Sequence, residues 1–136
     1  METPDTQSSD EEVINIGHKE LKLTHLNKIY WKEEGITKGQ LINYYRKMAE
    51  LIMPYLKDKP ISMRRQPNGI SDPGFFQKDT DTLTLPPWVK TKPLYSESND
   101  KNINYIIGDD AATLLYMVNL GCIEIKPMAK LIQAFR

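Results

Sequence analysis

Two lysines on either side of a turn offer the clearest chemistry in this sequence. Lys28 and Lys38 bound the second half of the stretch LTHLNKIYWKEEGITK (residues 23–38), and Lys38 falls in the first turn of what reads as the longest helix. A lysine there faces the positive end of the helix dipole, at a cost of about 0.3–1 kcal/mol. An anion at the same place reverses the sign, because free backbone N–H groups and the ammonium would converge on it. Gly39 leaves the backbone uncovered for such an approach. The spacing describes a phosphate site, set against the ordinary alternative of a solvated surface lysine.

A second constellation is Phe75-Phe76, near Arg65 and Lys78. Neighbours on a strand point to opposite faces, so one ring is expected to fill the core while the other faces out as a stacking platform for a base. Two plain aromatics at a strand end are the alternative. Asp109-Asp110 resembles the paired aspartates that hold metal ions in polymerases. Strand alternation separates them, however, and Asp110 stands where the following helix needs a cap, so the pair reads as structural. There is no Gly-rich Walker loop and no Cys/His cluster at metal spacing, and His18 and His25 are too few for a histidine-built zinc site. The single cysteine, Cys122, lies in the apolar run GCIEI and reads as a buried, inert thiol of a reducing cytoplasm.

These groups must be carried by one domain, since 136 residues suffice for a single core. The formal charge is zero, with 18 basic and 18 acidic residues. Glu2, Asp5, Asp10, Glu11 and Glu12 crowd the first twelve positions, leaving 13 acids against 18 basic residues in the body. That surplus permits nucleic-acid binding without requiring it. Residues 1–12 read as a disordered acidic tail. No apolar run spans a bilayer and no signal peptide is visible, so a cytoplasmic protein is expected.

The element pattern is α+β (α/β). VINI and the Leu21/Leu23 alternation predict two strands about Gly17-His18. Thr37 and Gln40 make a capping box, with Ile36 and Leu41 placed as a staple. Leu41, Tyr45, Met48, Ile52 and Tyr55 mark one helix face, and Pro54 predicts a kink or an end near residues 51–53. ISMRR and Gly74–Lys78 form a hairpin about Pro67-Asn68-Gly69. Trp88-Val89 and Leu94-Tyr95 read as edge pieces divided by Pro93. Residues 102–107 are β-rich, Asp110 caps a helix ended by Gly121, and CIEI is a last strand interrupted by Pro127.

Read together, these motifs resemble the polymerase domain of bacterial DNA ligase D, the primase-like polymerase of non-homologous end joining. The similarity is carried by Leu23-Thr24-His25-x-x-Lys28, Trp31, Gly35-Ile36-Thr37-Lys38-Gly39 and Tyr44-Tyr45. It continues through Arg65-x-Pro67-Asn68-Gly69, Phe75-Phe76-x-Lys78 and Pro87-Trp88-Val89. Asp110-x-Ala112-Thr113-Leu114-Leu115 and Asn119-Leu120-Gly121-x-Ile123-Glu124 complete it. It covers residues 13–127 and implies the N-terminal half of an archaeo-eukaryotic primase-like domain, a mixed sheet with two main helices. Residues 128–136 form a divergent tail.

The resemblance implies that Lys28 and Lys38 bind the 5′-phosphate of a DNA end, with His25 beside it. It implies that Phe75 and Phe76 stack near the templating base while Arg65 and Lys78 face nucleic acid. Lys32 stands where the family has proline. The family's Asp-x-Asp motif, Ser/His nucleotide motif and third acidic residue lie beyond position 136, so this chain alone is expected to be inactive as a nucleotidyltransferase. Mn2+ or Mg2+ and a nucleoside triphosphate are expected only for the full domain, where two ions clamp the reacting oxygens. Expected partners are 5′-phosphorylated DNA ends, a catalytic C-terminal half or ligase chain and a Ku-like protein, at the bacterial nucleoid. A stand-alone DNA-end module, or an interaction remnant pairing through an exposed sheet edge, are the alternatives to a polymerase fragment.

Overall fold

The computed structural model describes residues 10–97 and 99–128, so the expectations for residues 1–9 and for the tail from 129 onward lie outside the described residues. β1 (Glu12–Ile16) pairs antiparallel with β2 (Lys19–Leu23) around Gly17, whose φ of 63° suits the left-handed turn. Alternation turns Ile14, Leu21 and Leu23 inward. Residues 10–12 do not behave as tail. Glu12 opens β1, and the Asp10 carbonyl accepts the Leu26 N–H at 2.8 Å. β3 (Ile29–Trp31) and β4 (Ile36–Thr37) close a small hairpin that the sequence shows only as a turn.

Helix α1 runs Lys38–Leu56. Thr37 caps it through the reciprocal bonds expected: Gln40 N–H donates to Thr37 Oγ1 at 3.2 Å and Thr37 N–H to Gln40 Oε1 at 2.9 Å. The buried line is Lys38, Ile42, Ala49 and Leu56, flanked by Leu41, Tyr45, Ile52 and Met53. Tyr55, expected on the core face, is exposed, because the buried line runs through Ile42, Ala49 and Leu56 and residue 55 lies to one side of it. The helix also passes Pro54 instead of ending before it. Only one N–H is missing there, the Lys57 N–H still donates to the Met53 carbonyl at 2.9 Å, and buried Leu56 is locked against Gly108.

The remaining elements are β5 (Pro60–Arg65), β6 (Phe75–Gln77), β7 (Thr91–Ser96), β8 (Lys101–Ile107), α2 (Ala111–Asn119) and β9 (Cys122–Pro127). β5 is the spine of a five-stranded sheet. One of its edges is lined by β9; the other takes β8 at Pro60 and Ile61 and then β6 at Met63, Arg64 and Arg65. β7 pairs along the outside of β8. Every ladder is antiparallel, and the one parallel pairing among the described residues is the bridge between Lys57 and Gly108. Pro93 does not divide two strands. It sits inside β7 opposite Asn104, tolerated because β7 is an edge, whereas Trp88-Val89 belongs to a turn. Pro127 likewise stays within β9, opposite Ile61.

Asp110 caps α2 by accepting the Thr113 N–H at 3.0 Å, and Gly121 (φ 88°) ends it. Residues 112–118 are buried on all sides, as a central helix requires. α2 packs on α1, β2 and β9, and each buried leucine contributes about 1.5–3 kcal/mol. The result is a mixed α+β body of two helices and a sheet. No helix among the described residues is long and apolar enough to cross a membrane.

Candidate functional site

The turn that follows β2 is held from three directions. Thr24 N–H donates to Asn119 Oδ1 at 3.0 Å, and Asn119 returns a bond to the Lys22 carbonyl, tying the turn to the end of α2. Leu26 and Asn27 donate to Asp10, and Lys28 N–H closes the turn on the His25 carbonyl at 3.1 Å. The start of α1 supplies the third tie: Lys38 N–H donates to the Lys28 carbonyl at 2.8 Å and Gly39 N–H to the Leu26 carbonyl at 2.9 Å. The free N–H groups anticipated at this helix start are therefore already used by the turn. Gly39 is needed for the turn itself, since a Cβ there would lie 3.0 Å from the Leu26 carbonyl oxygen. Any anion here must be held by side chains.

Lys28 and Lys38 are brought within electrostatic reach of each other. His25 is exposed on the turn with a left-handed φ of 56°. Lys28 reaches over the loop after β5, donating to the Pro67 carbonyl at 3.0 Å and to Asn68 Oδ1 at 3.1 Å. Lys38, expected as a solvated lysine if not functional, is only 3% exposed. Its ammonium has no hydrogen bond or ion pair among the described residues. Burial, followed by repulsion from Lys28 and Arg65 and only partly offset by Asp10, lowers its pKa from 10.5 to about 8. A buried, partnerless cation between two others is costly unless an anion joins it.

Arg65 links this cluster to the aromatic edge. Its Nε donates to the Leu120 carbonyl and its Nη1 to Gln77 Oε1, both at 2.8 Å, while the guanidinium lies 5.0 Å from the Phe75 ring centre. Phe76 projects from the opposite face, with Arg64 at 5.1 Å and Lys126 at 5.6 Å from its ring. Neither phenylalanine fills the core: Phe75 is 46% and Phe76 55% exposed, because short β6 lies at the sheet margin. Lys78 joins Phe75, Phe76, Gln77, Asp79, Thr82, Asn99 and Ile103 around an open pocket of about 350 Å³. Asn68, Arg64 and Lys126 were not singled out in the sequence. Asn68 sits in a visible turn signal, but nothing local marks it as the prop for Lys28.

Asp109 and Asp110 do not separate as alternation suggests, for both reach Lys19. Asp110 bonds Lys19 Nζ, and Asp109 lies 3.8 Å from it, 3.3 Å from Lys57 Nζ and 3.5 Å from Lys90 Nζ. Burial opposes the Asp110 charge, yet the bonds from Lys19 and Thr113 hold its carboxyl below the usual range. Among the described residues no three His, Cys, Asp or Glu side chains converge. The divalent ions implied for the full domain do not fit a pair committed to lysines and a helix cap. Cys122 is wholly buried, bonds the Glu124 carbonyl at 3.2 Å, and is pushed up to about 12 by burial, as an inert thiol should be.

Comparison with known proteins gives concordant matches. A family model described as LigD, primase-polymerase domain, matches residues 37–136. The multifunctional non-homologous end joining DNA repair protein LigD of Mycobacterium tuberculosis is 29% identical over 103 residues, 76% of this chain and 13% of the relative. The bifunctional non-homologous end joining protein LigD of Bacillus subtilis is 29% identical over 107 residues, 79% of this chain and 16% of the relative. The solved polymerase domain of M. tuberculosis ligase D, in complex with DNA, superposes with a TM-score of 0.73 at 28% identity. That match covers 79% of this chain and 36% of the solved one.

Proposed function

The chain belongs to the LigD primase-polymerase domain family, and on that footing we propose that it grips DNA ends during non-homologous end joining. Lys28 and Lys38, with His25 on the same turn, take the 5′-phosphate. Phe75 and Phe76 take template bases by stacking, and Arg65 and Lys78 take the backbone between them. The observation that carries this reading is the buried ammonium of Lys38, which lacks a hydrogen-bond or ion-pair partner among the described residues and feels the charges of Lys28 and Arg65. A phosphate dianion would supply the missing charge and accept from both lysines.

Polymerisation, its divalent ions and nucleoside triphosphate, and contacts with a ligase region or a Ku-like protein are proposed for the whole protein rather than this stretch. The chain spans 13% to 16% of the length of these curated relatives. The test is equilibrium binding of gapped duplexes ending in 5′-phosphate or 5′-hydroxyl. The wild-type chain is expected to prefer the phosphate, and Lys28→Ala/Lys38→Ala to lose at least about tenfold of that preference, the scale of one charge-assisted bond. Equal wild-type binding to both ends would remove the reading.

A further inference from the structure

The same site contains an acidic residue whose part follows from the register of the first hairpin. Glu12 stands opposite Leu23 where β1 and β2 end, so the chain two residues before Glu12 runs beside the chain two residues after Leu23. Asp10 is thereby laid against the turn of residues 25–28. Its carbonyl accepts the Leu26 N–H at 2.8 Å and its Oδ1 accepts the Asn27 N–H at 2.9 Å. Lys22 pairs with Glu11 at 3.3 Å on the exposed side of the hairpin. On the opposite side of the turn, the Leu26 and Lys28 carbonyls accept from Gly39 and Lys38. The turn is clamped, with the Leu26 and Asn27 N–H groups on Asp10 and the Leu26 and Lys28 carbonyls on α1.

That clamp matters because the turn carries His25 in a left-handed conformation that a side chain rarely adopts, and because it sets where Lys28 begins. Resting on the phosphate-site reading above, we propose that Asp10 is a positioning residue for the 5′-phosphate grip: it fixes the turn so that Lys28 and His25 face Lys38 in one geometry. Asp10 has a second effect of opposite sign. Among the described residues acting on the Lys38 ammonium it is the one acid, beside Lys28 and Arg65. Its charge therefore competes with the phosphate while its hydrogen bonds prepare the site for it. Two substitutions separate these effects, since asparagine keeps an acceptor oxygen and loses the charge, whereas alanine loses both.

The experiment titrates 5′-phosphate and 5′-hydroxyl gapped duplexes into the wild-type chain, Asp10→Ala and Asp10→Asn. Amide hydrogen exchange at Asn27 and along α1 reports whether the turn opens while the helix holds. Asp10→Ala is expected to lose about fivefold of the phosphate preference, part of what one hydrogen bond to a carboxylate carries, with the Asn27 amide exposed. Asp10→Asn is expected to keep the preference and to bind both ends as tightly as wild type or more so. Wild-type preference in Asp10→Ala, or equal loss in both variants, overturns positioning while leaving the phosphate site intact. Wild-type binding that ignores the phosphate removes the site and, with it, the proposal.

Discussion

Two basic clusters in this molecule hold similar numbers of cations and differ in what answers them. Lys19, Lys57 and Lys90 surround Asp109, with Asp110 as a further partner for Lys19. Lys28 and Arg65 donate to neutral oxygens, and among the described residues the one acid acting on Lys38 is Asp10, whose carboxylate oxygen already holds a backbone N–H. The electrostatic outcome runs in opposite directions. The hydrogen bond to Asp110 raises the Lys19 pKa, whereas burial and neighbouring cations lower that of Lys38 to about 8. Satisfied lysines knit α1, β2 and α2 together. Unsatisfied ones leave room for a ligand's charge.

The largest way to break the comparison is at the seam of the satisfied cluster. A Cβ at Gly108 would lie 2.1 Å from the Leu56 carbonyl oxygen, and backbone cannot move aside cheaply. Gly108→Ala is expected to destabilise the chain by ~3 kcal/mol in urea unfolding, by prying the end of α1 from the Asp109 segment.

The unsatisfied cluster should respond with the opposite sign. Lys38→Met removes a buried charge and is expected to stabilise the fold at pH 7.5 by on the order of 2–3 kcal/mol, while abolishing phosphate preference. The sign with pH follows from linkage. Between about pH 8, where folded Lys38 titrates, and 10.5, where it titrates unfolded, the unfolded chain holds more protons, so wild-type stability rises with pH. Below that window both states are charged and the cost is constant. The gap between Lys38→Met and wild type, read from urea midpoints at pH 7.5 and 10, should narrow at the higher pH; a constant gap would contradict the buried ammonium.

The smallest effect sharpens the contrast. Asp109→Asn leaves Lys57 and Lys90 without their carboxylate, and because both are more than half exposed it should cost only about 1 kcal/mol. The variant acquires a second uncompensated patch. It is expected to bind duplex DNA more tightly at low salt without any gain in 5′-phosphate preference, since exposed lysines attract phosphates without discriminating ends.

Much of the fold was legible because its signals are local. The Thr37/Gln40 capping box, the Asp110 cap, the Gly121 stop and the hairpin about Pro67-Asn68-Gly69 depend on residues within a few positions of one another. The misread features depend on distant partners. Helical spacing alone places Tyr55 inside, but the buried line runs through Ile42, Ala49 and Leu56. Pro54 predicts a kink or an end and Pro93 a division between strands, yet Leu56 against Gly108 carries the helix onward and the sheet margin accommodates the strand. Asp10 looked like tail because its two bonds cross to residues 26 and 27.

The sequence by itself determined which groups are available: a lysine at a capped helix start, a second lysine ten residues before it, adjacent phenylalanines near arginines, and the ordered motifs of the LigD primase-polymerase family. Only the tertiary structure decided which charges are answered. Lys19 and Lys38 look alike as letters. Folding brings two aspartates to one, and to the other burial, two cations and the single carboxylate of Asp10. Coulomb interactions and desolvation depend on distance in space and on surrounding solvent, which residue spacing does not encode.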